Sequence, residues 1–207
     1  MRRAGLVFVV SAPSGAGKTS LCRAVTGSLD NLMHSVSYTT RAPRAGEMDG
    51  RDYYFVTPSR FRDMVAGGDF AEWAEVHGNM YGTSRRILDD MVSKGVDVIL
   101  DIDTQGAKQI KERYGKAVFL FIMPPSMEIL EERLRNRGSD NEAEIQRRMR
   151  RAYDEIRDYG MYDYVVVNRD FERALSELRS IIIAERCKRS LVDPSCIEDM
   201  LRTGRRL

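Results

Sequence analysis

The sequence predicts an α/β protein: a parallel sheet flanked by helices, interrupted by a small α+β insertion. Three observations carry that expectation. Apolar runs at Leu6–Val10, Val96–Leu100, Val118–Ile122 and Tyr164–Val167 are nearly continuous, as strands buried on both faces require. Segments with helical spacing separate them, and repeated β-α units imply a parallel sheet. The first run leads straight into Ser11-Ala12-Pro13-Ser14-Gly15-Ala16-Gly17-Lys18-Thr19-Ser20, the strand, glycine loop and helix start of a phosphate-binding loop.

In chain order, Leu21, Ala24, Val25 and Leu29 recur at helical spacing and predict a helix from Lys18 to Leu29, stopped at Asp30-Asn31. From His34 to Ser84 the texture changes to Ser, Thr, Tyr, Gly and Arg clusters. Strands are expected at Val36–Thr40, Tyr53–Val56 and Glu72–Val76, with a short helix over Arg60–Val65 ended by Gly67-Gly68. The α/β rhythm then resumes, with helices over Ile87–Ser93 and Gln105–Tyr114 around the Val96–Leu100 strand. After the Val118–Ile122 strand and Pro124-Pro125, a helix bearing Ile129, Leu130 and Leu134 leads into Arg133-Leu134-Arg135-Asn136-Arg137-Gly138. A second charged helix holds Arg147, Arg148, Arg150 and Arg151. Phe171–Lys188 is a closing amphipathic helix, and Pro194 opens a short terminal one.

With 207 residues, 43% hydrophobic and 31% charged, the chain is long enough for a substantial core and too apolar for disorder. Net charge of +2 gives no general pull toward nucleic acid or a membrane. The apolar stretch after Met1-Arg2-Arg3 is too short for a signal sequence, and no segment approaches membrane-spanning length. Cys22, Cys187 and Cys196 share no metal-type spacing, so a reducing, cytoplasmic setting is expected. His34 and His77 read as ordinary loop or core residues.

In the loop, glycines let the backbone wrap phosphate oxygens, and the helix N-terminus adds a favourable dipole. Lys18 is expected to reach the β- and γ-phosphates and the Thr19 hydroxyl to ligate Mg²⁺. The motif G-x-x-x-x-G-K-[ST] asks for glycine where this chain has Ala12. Alanine fits there if φ is negative and is strained if φ is positive.

Other residues decide what the triphosphate is used for. Ligands of parallel sheets sit at the carboxyl ends of strands, where Asp101-Ile102-Asp103 and Pro124-Pro125 also fall. Asp101 would orient Mg²⁺ through water and Asp103 would face an acceptor, unless Asp103 simply caps the helix that follows. Arg137 and Arg148 flank a polar break in the charged hairpin. They read either as a lid supplying charge to a moving phosphoryl group and excluding water, or as a solvated helical face. In the insertion, Arg41, Arg44, Tyr53 and Tyr81 suit a monophosphate through charge-assisted hydrogen bonds. Glu72 suits guanine, whose N1–H and N2–H₂ are adjacent donors that adenine lacks. Each of these alone reads more readily as a surface or turn residue, and only their joint occurrence favours the functional reading.

The chain resembles the guanylate kinases, the ATP:GMP phosphotransferases among the nucleoside monophosphate kinases. The resemblance rests on the Ser11–Ser20 loop, Ser37-Tyr38-Thr39-Thr40-Arg41-Ala42-Pro43-Arg44, Gly46-Glu47, Asp52-Tyr53 and Gly78-Asn79-Met80-Tyr81-Gly82-Thr83. It continues through Leu100–Gly106, Pro124-Pro125-Ser126, Arg133-Leu134 with Arg137-Gly138, and Asp163-Tyr164 with Val167-Asn168. It implies a P-loop core (1–33, 88–124 and 160–207), a GMP-binding domain (34–87) and a helical lid (125–159). It also implies that Mg²⁺-ATP binds Ala12, Pro13, Ser14, Gly15, Ala16, Gly17, Lys18, Thr19 and Ser20, with Arg133 and Arg137 assisting. GMP, and by expectation dGMP, would be held by Ser37, Arg41, Arg44, Tyr53, Glu72, Tyr81, Thr83 and Asp103. Lys18, Arg41, Arg137 and Arg148 would be catalytic, and Thr19 and, through water, Asp101 would serve the metal. Ala12 is common in bacterial members, Thr83 keeps the hydroxyl of a frequent serine, and Met80 stands where tyrosine is frequent.

Two other readings follow from the same fold. Guanylate-kinase-like scaffolding domains bind phosphopeptides without catalysis, but typically lose residues that survive here, such as Lys18 and Thr19. A kinase for another monophosphate is disfavoured by Glu72 and Ser37. Nothing in the sequence decides between a monomer and a homodimer.

Overall fold

The computed structural model describes residues 3–76, 78–136 and 141–204; His77 and Arg137 lie outside them. The first half runs β1 (Val7–Ser11), α1 (Lys18–Ser28), β2 (Leu32–His34), β3 (Tyr38–Thr39), β4 (Tyr54–Phe55), α2 (Pro58–Ala66), β5 (Phe70–Val76), β6 (Asn79–Ser84) and α3 (Arg85–Ser93). The second runs β7 (Asp97–Asp101), α4 (Thr104–Arg113), β8 (Val118–Met123), α5 (Met127–Asn136), α6 (Glu142–Arg157), β9 (Tyr164–Val167), α7 (Phe171–Arg186) and α8 (Pro194–Thr203).

The main sheet has the order β2-β7-β1-β8-β9, and all its pairings are parallel. Its strands alternate strictly between two cores. Phe8, Val10, Leu120 and Ile122 pack with Leu21, Val25, Leu178 and Ile182 of α1 and α7. Val7, Val9, Phe119 and Phe121 pack with Leu88, Ala107 and Ile110 of α3 and α4. Both faces are covered, which is why these strands read as unbroken apolar runs.

The insertion folds as a second sheet of order β4-β3-β6-β5, with β3 and β5 both antiparallel to β6. Two of the strands found were not expected. β2 has three residues, too few to show a period, and is an edge strand held by β7. β6 is polar and glycine-bearing, so it lacks strand composition. Its Gly82 is explained by packing: a Cβ there would come within 2.9 Å of Phe70 and 3.1 Å of Phe61. The strand expected over Val36–Thr40 is confined to Tyr38–Thr39.

β5 carries an irregularity at Ala71, where the register slips between Phe70 and Glu72. Without it the side chains would alternate. With it, Phe70 stacks on Phe61, Ala71 enters the core beneath α4, and Glu72 is buried as well, at 3% exposure. The α5–α6 hairpin has a small core of its own: Leu130, Leu134, Ile145, Met149 and Ala152. Among the described residues, no helix is long and apolar enough to cross a membrane.

The start of β7 holds a buried charge. The Asp97 side chain is fully enclosed and accepts from Arg3 Nη1 and Nη2, Leu6 N and Arg186 Nε, each at 2.7 Å. Burial pushes its pKa up, but the hydrogen bonds from Arg3, Leu6 and Arg186 outweigh it and hold the carboxyl below its ordinary range. A depressed carboxyl stabilises the fold above its unfolded pKa and ceases to do so as pH falls through the folded one. Asp97→Asn is expected to cost about 2–4 kcal/mol at pH 7, somewhat less than breaking a fully buried pair because both guanidiniums reach solvent. Urea unfolding at pH 7 and near pH 3 checks this, with the deficit shrinking at the lower pH.

Candidate functional site

The loop between β1 and α1 opens onto a cavity of about 570 Å³. Gly15 and Gly17 take φ of 98° and 92°, values only glycine adopts readily. Ala12 has no positive φ and is buried at 6% exposure, so alanine sits in the first motif position without strain. Helix α1 has no side-chain cap and no acidic residue in its first turn. Its first N–H groups are therefore left for an external acceptor, the condition for anion binding. The loop is braced from behind. Asn168, just past β9, donates Nδ2–H to the Ala16 carbonyl at 2.7 Å, and a Cβ on Gly17 would fall 2.5 Å from that nitrogen.

Lys18, the first residue of α1, places its ammonium 2.7 Å from Asp101 Oδ1 and 2.9 Å from the Ile102 carbonyl. Burial works against its charge, but Asp101 prevails and raises the pKa above the ordinary lysine value. Burial likewise opposes the Asp101 charge, yet Lys18, His34 and Thr19 together hold the carboxyl well below its usual range. Thr19 is among the groups that lower that carboxyl, so a hydroxyl and an ionised carboxylate lie near one another beside the loop.

A second group lies across the cavity. Ser37, Arg44, Tyr53, Glu72, Tyr81 and Asp103 all line it, together with Lys18 and Thr19. Glu72 Oε1 accepts from the buried Thr83 hydroxyl at 2.6 Å. Burial raises the Glu72 pKa to about 7, with Asp103 adding to the rise and the Thr83 bond opposing it. Thr83 thus stands behind Glu72 and not in the cavity wall. Asp103 lines the cavity, and its carboxylate also caps α4, the simpler of the two expectations, by accepting from Gly106 N at 2.8 Å.

Helix α6 covers the loop. Arg148 Nη1 lies 3.4 Å from Ser14 Oγ, and Arg148, Arg151 and Glu155 line the cavity. Burial raises the Glu155 pKa to about 7 against the pull of Lys18, with Asp103 adding to the rise.

Two expected residues are turned elsewhere. Arg41 gives Nη2 to both Glu47 oxygens, at 2.8 and 3.0 Å, and lies 5.3 Å over the Tyr53 ring. Arg133 donates to the Asn168 carbonyl at 3.0 Å. Ala16 is wholly buried behind the loop. Sequence reasoning gave no site role to Glu155, to Arg151 of the charged helix, or to the bracing Asn168, which appeared only within a family motif. The first two were accessible from helical phase. Arg148, Arg151 and Glu155 follow each other at spacings of three and four, offset from the apolar stripe of Ile145, Met149 and Ala152. No spacing signals Asn168, because its partner lies 152 residues away.

Glu72 has a measurable cost. A carboxyl whose folded pKa is raised contributes most below its unfolded pKa, near 4.5, and loses that contribution as pH rises through about 7. Glutamine does not titrate. Between pH 4 and 8 the stability of Glu72→Gln is therefore expected to gain on the wild type by about 3 kcal/mol, read from denaturant unfolding of both proteins across that range.

Comparison with known proteins places this geometry in a family. The guanylate kinase family model matches residues 5–185. A guanylate kinase of Geobacter metallireducens is 55% identical over 188 residues, covering 91% of this chain and 93% of the relative. One from Geobacter sulfurreducens is 53% identical over 192 residues, covering 93% and 95%. The crystal structure of guanylate kinase from Anaplasma phagocytophilum superposes with a TM-score of 0.80 at 37% identity, covering 100% of this chain and 99% of that one.

Proposed function

Because the chain belongs to the guanylate kinase family and so transfers a phosphoryl group from ATP to GMP, we propose that both nucleotides meet in the cavity between the β1–α1 loop and the second sheet. The observation that carries this reading is the joining, in one cavity, of an uncapped helix start and a buried carboxylate. One suits phosphates and the other suits a base with paired donors.

ATP would lay its triphosphate along Ala12–Ser20, with Lys18 offsetting the charge of the β- and γ-phosphates. Thr19 and Asp101 fit Mg²⁺: both offer hard oxygen donors, side by side, and Mg²⁺ keeps several waters and needs few protein ligands. Thr19 would bind it directly and Asp101 through water; when bound, it supplies charge neutralisation at the phosphates. On the opposite wall, Arg44, Tyr53 and Tyr81 would grip the GMP phosphate, with Arg41 beside them. Glu72 would accept from guanine N1–H and N2–H₂, flanked by Ser37 and Asp103, while Thr83 fixes the orientation of the Glu72 carboxylate.

In the transfer, a GMP phosphate oxygen bonds to the γ-phosphorus as its bond to the β-phosphate oxygen breaks, releasing ADP. Every partner is anionic, so catalysis is chiefly positioning and charge compensation. Arg148 already stands at Ser14 in the loop and would serve the moving group, joined by Arg137 and Arg133. The separate core of the α5–α6 hairpin supports a lid at 125–159, and the second sheet supports a GMP domain at 34–87. The buried, unbridged Cys22 and exposed, unbridged Cys187 suit a reducing cytoplasm. The pocket chemistry named here makes no demand on the ribose 2′-hydroxyl, so dGMP is expected as a substrate.

The reading is tested by ADP release from Mg²⁺-ATP with GMP, AMP, CMP and UMP offered separately. Turnover with GMP alone is expected; turnover with another monophosphate would overturn the base assignment. Lys18→Ala is expected to lower kcat about 100-fold or more, the scale of losing one preorganised charge contact. Its circular dichroism and melting should stay close to wild type, and wild-type kcat in the folded variant would remove the loop assignment.

A further inference from the structure

Gly106 is the third residue of α4, a position where glycine is disfavoured relative to almost every other residue. No backbone requirement explains it, since its φ lies outside the left-handed region. Space does explain it. A Cβ at position 106 would lie 2.5 Å from Glu72 Oε2, 3.2 Å from Glu72 Cδ and 3.4 Å from Ile102 Cδ1. The contrast with Gly5 is instructive. There a Cβ would meet the Val96 carbonyl oxygen at 1.8 Å, so that glycine serves the backbone of the fold. At Gly106 the atoms met first are those of one functional carboxylate.

That carboxylate has little freedom to yield in place. Glu72 is 3% exposed, its Oε1 is tied to the Thr83 hydroxyl at 2.6 Å, and the register slip in β5 sets its backbone. On its other side, Gly106 gives its N–H to Asp103 Oδ1 at 2.8 Å. One residue without a side chain thus lies between the two carboxylates that face the cavity from this wall.

We propose that Gly106 is a specificity-determining position for the monophosphate, acting through Glu72: the missing side chain leaves Oε2 where it can accept from guanine. It is a positioning residue that touches no substrate atom. The inference rests on the reading of Glu72 as the guanine acceptor. The three atoms nearest a methyl group at 106 all belong to side chains, and the closest is the far end of Glu72. The cost therefore falls first on the placement of the Glu72 carboxylate, and any loss of stability that comes with it depends on Glu72 being present.

The test is a cycle of wild type, Gly106→Ala, Glu72→Ala and the double variant, measuring kcat/KM for GMP, KM for ATP and Tm. Gly106→Ala is expected to lower kcat/KM for GMP about tenfold or more, with KM for ATP within about twofold and Tm lowered only where Glu72 is present. In the Glu72→Ala background the same change should cost less than about twofold, because the methyl enters space the carboxylate has left. Equal losses in the two backgrounds, or wild-type use of GMP by Gly106→Ala, would overturn the proposal. So would an equal fall in Tm in both backgrounds, which would make Gly106 a packing residue. A Gly106→Ala protein that fails to fold while the double variant folds would still locate the conflict at Glu72. Undiminished use of GMP by Glu72→Ala alone would instead defeat the guanine reading itself, and the role of Gly106 with it.

Discussion

The register of β1 against β7 governs everything at the site. Val10 lies opposite Asp101 in the parallel pairing, so the loop that leaves β1 and the carboxylate that ends β7 emerge side by side. The Lys18–Asp101 contact at 2.7 Å is a direct product of that alignment. A one-residue slip would invert the facing of every β7 side chain and turn Asp101 away. The two cores guard against this by filling alternate positions of β1 and β8 on opposite faces. Apolar packing that has no chemistry of its own thereby fixes the spacing of the charges that do.

The cavity sorts its acids by environment. Burial opposes ionisation of Asp101, Glu72 and Glu155 alike, yet their outcomes diverge. Asp101 has Lys18 within 2.7 Å and stays ionised. Glu72 has the Thr83 hydroxyl and the nearby negative Asp103, and is raised to about 7. A carboxyl poised there gains its full charge most readily when donors arrive to share it. That suits the role proposed for Glu72 in telling bases apart, since a partner lacking paired donors would leave the buried charge uncompensated.

Much of this was legible in the sequence, for identifiable reasons. Buried parallel strands leave unbroken apolar runs, so β1, β7, β8 and β9 stood out, and the loop motif depends on local backbone conformation and is local in sequence. β2 and β6 did not stand out: the first owes its existence to an edge pairing with β7, and the second to a partner strand and the aromatic packing around Gly82. At the site, the loop residues other than Ala16 and Ser37, Arg44, Tyr53, Glu72, Tyr81 and Asp103, singled out by type and order, line one cavity. What could not be read was which side chains touch. Thr83 sits behind Glu72, Arg41 leans on Glu47, and Asn168 reaches Ala16 across most of the chain.

The separate core of the α5–α6 hairpin bears on how this molecule can move. Leu130, Leu134, Ile145, Met149 and Ala152 bury one another, and the hairpin meets the loop through Gly15 and through a polar contact at Ser14. The interior of such a unit stays buried wherever the unit sits, while Ile156 at the far end of α6 packs against the second core. The polar contact at Ser14 is one that water replaces at small net cost. If the hairpin serves as the proposed lid, its own core lets it move as a unit, and charge contacts from a bound nucleotide would bias where it comes to rest.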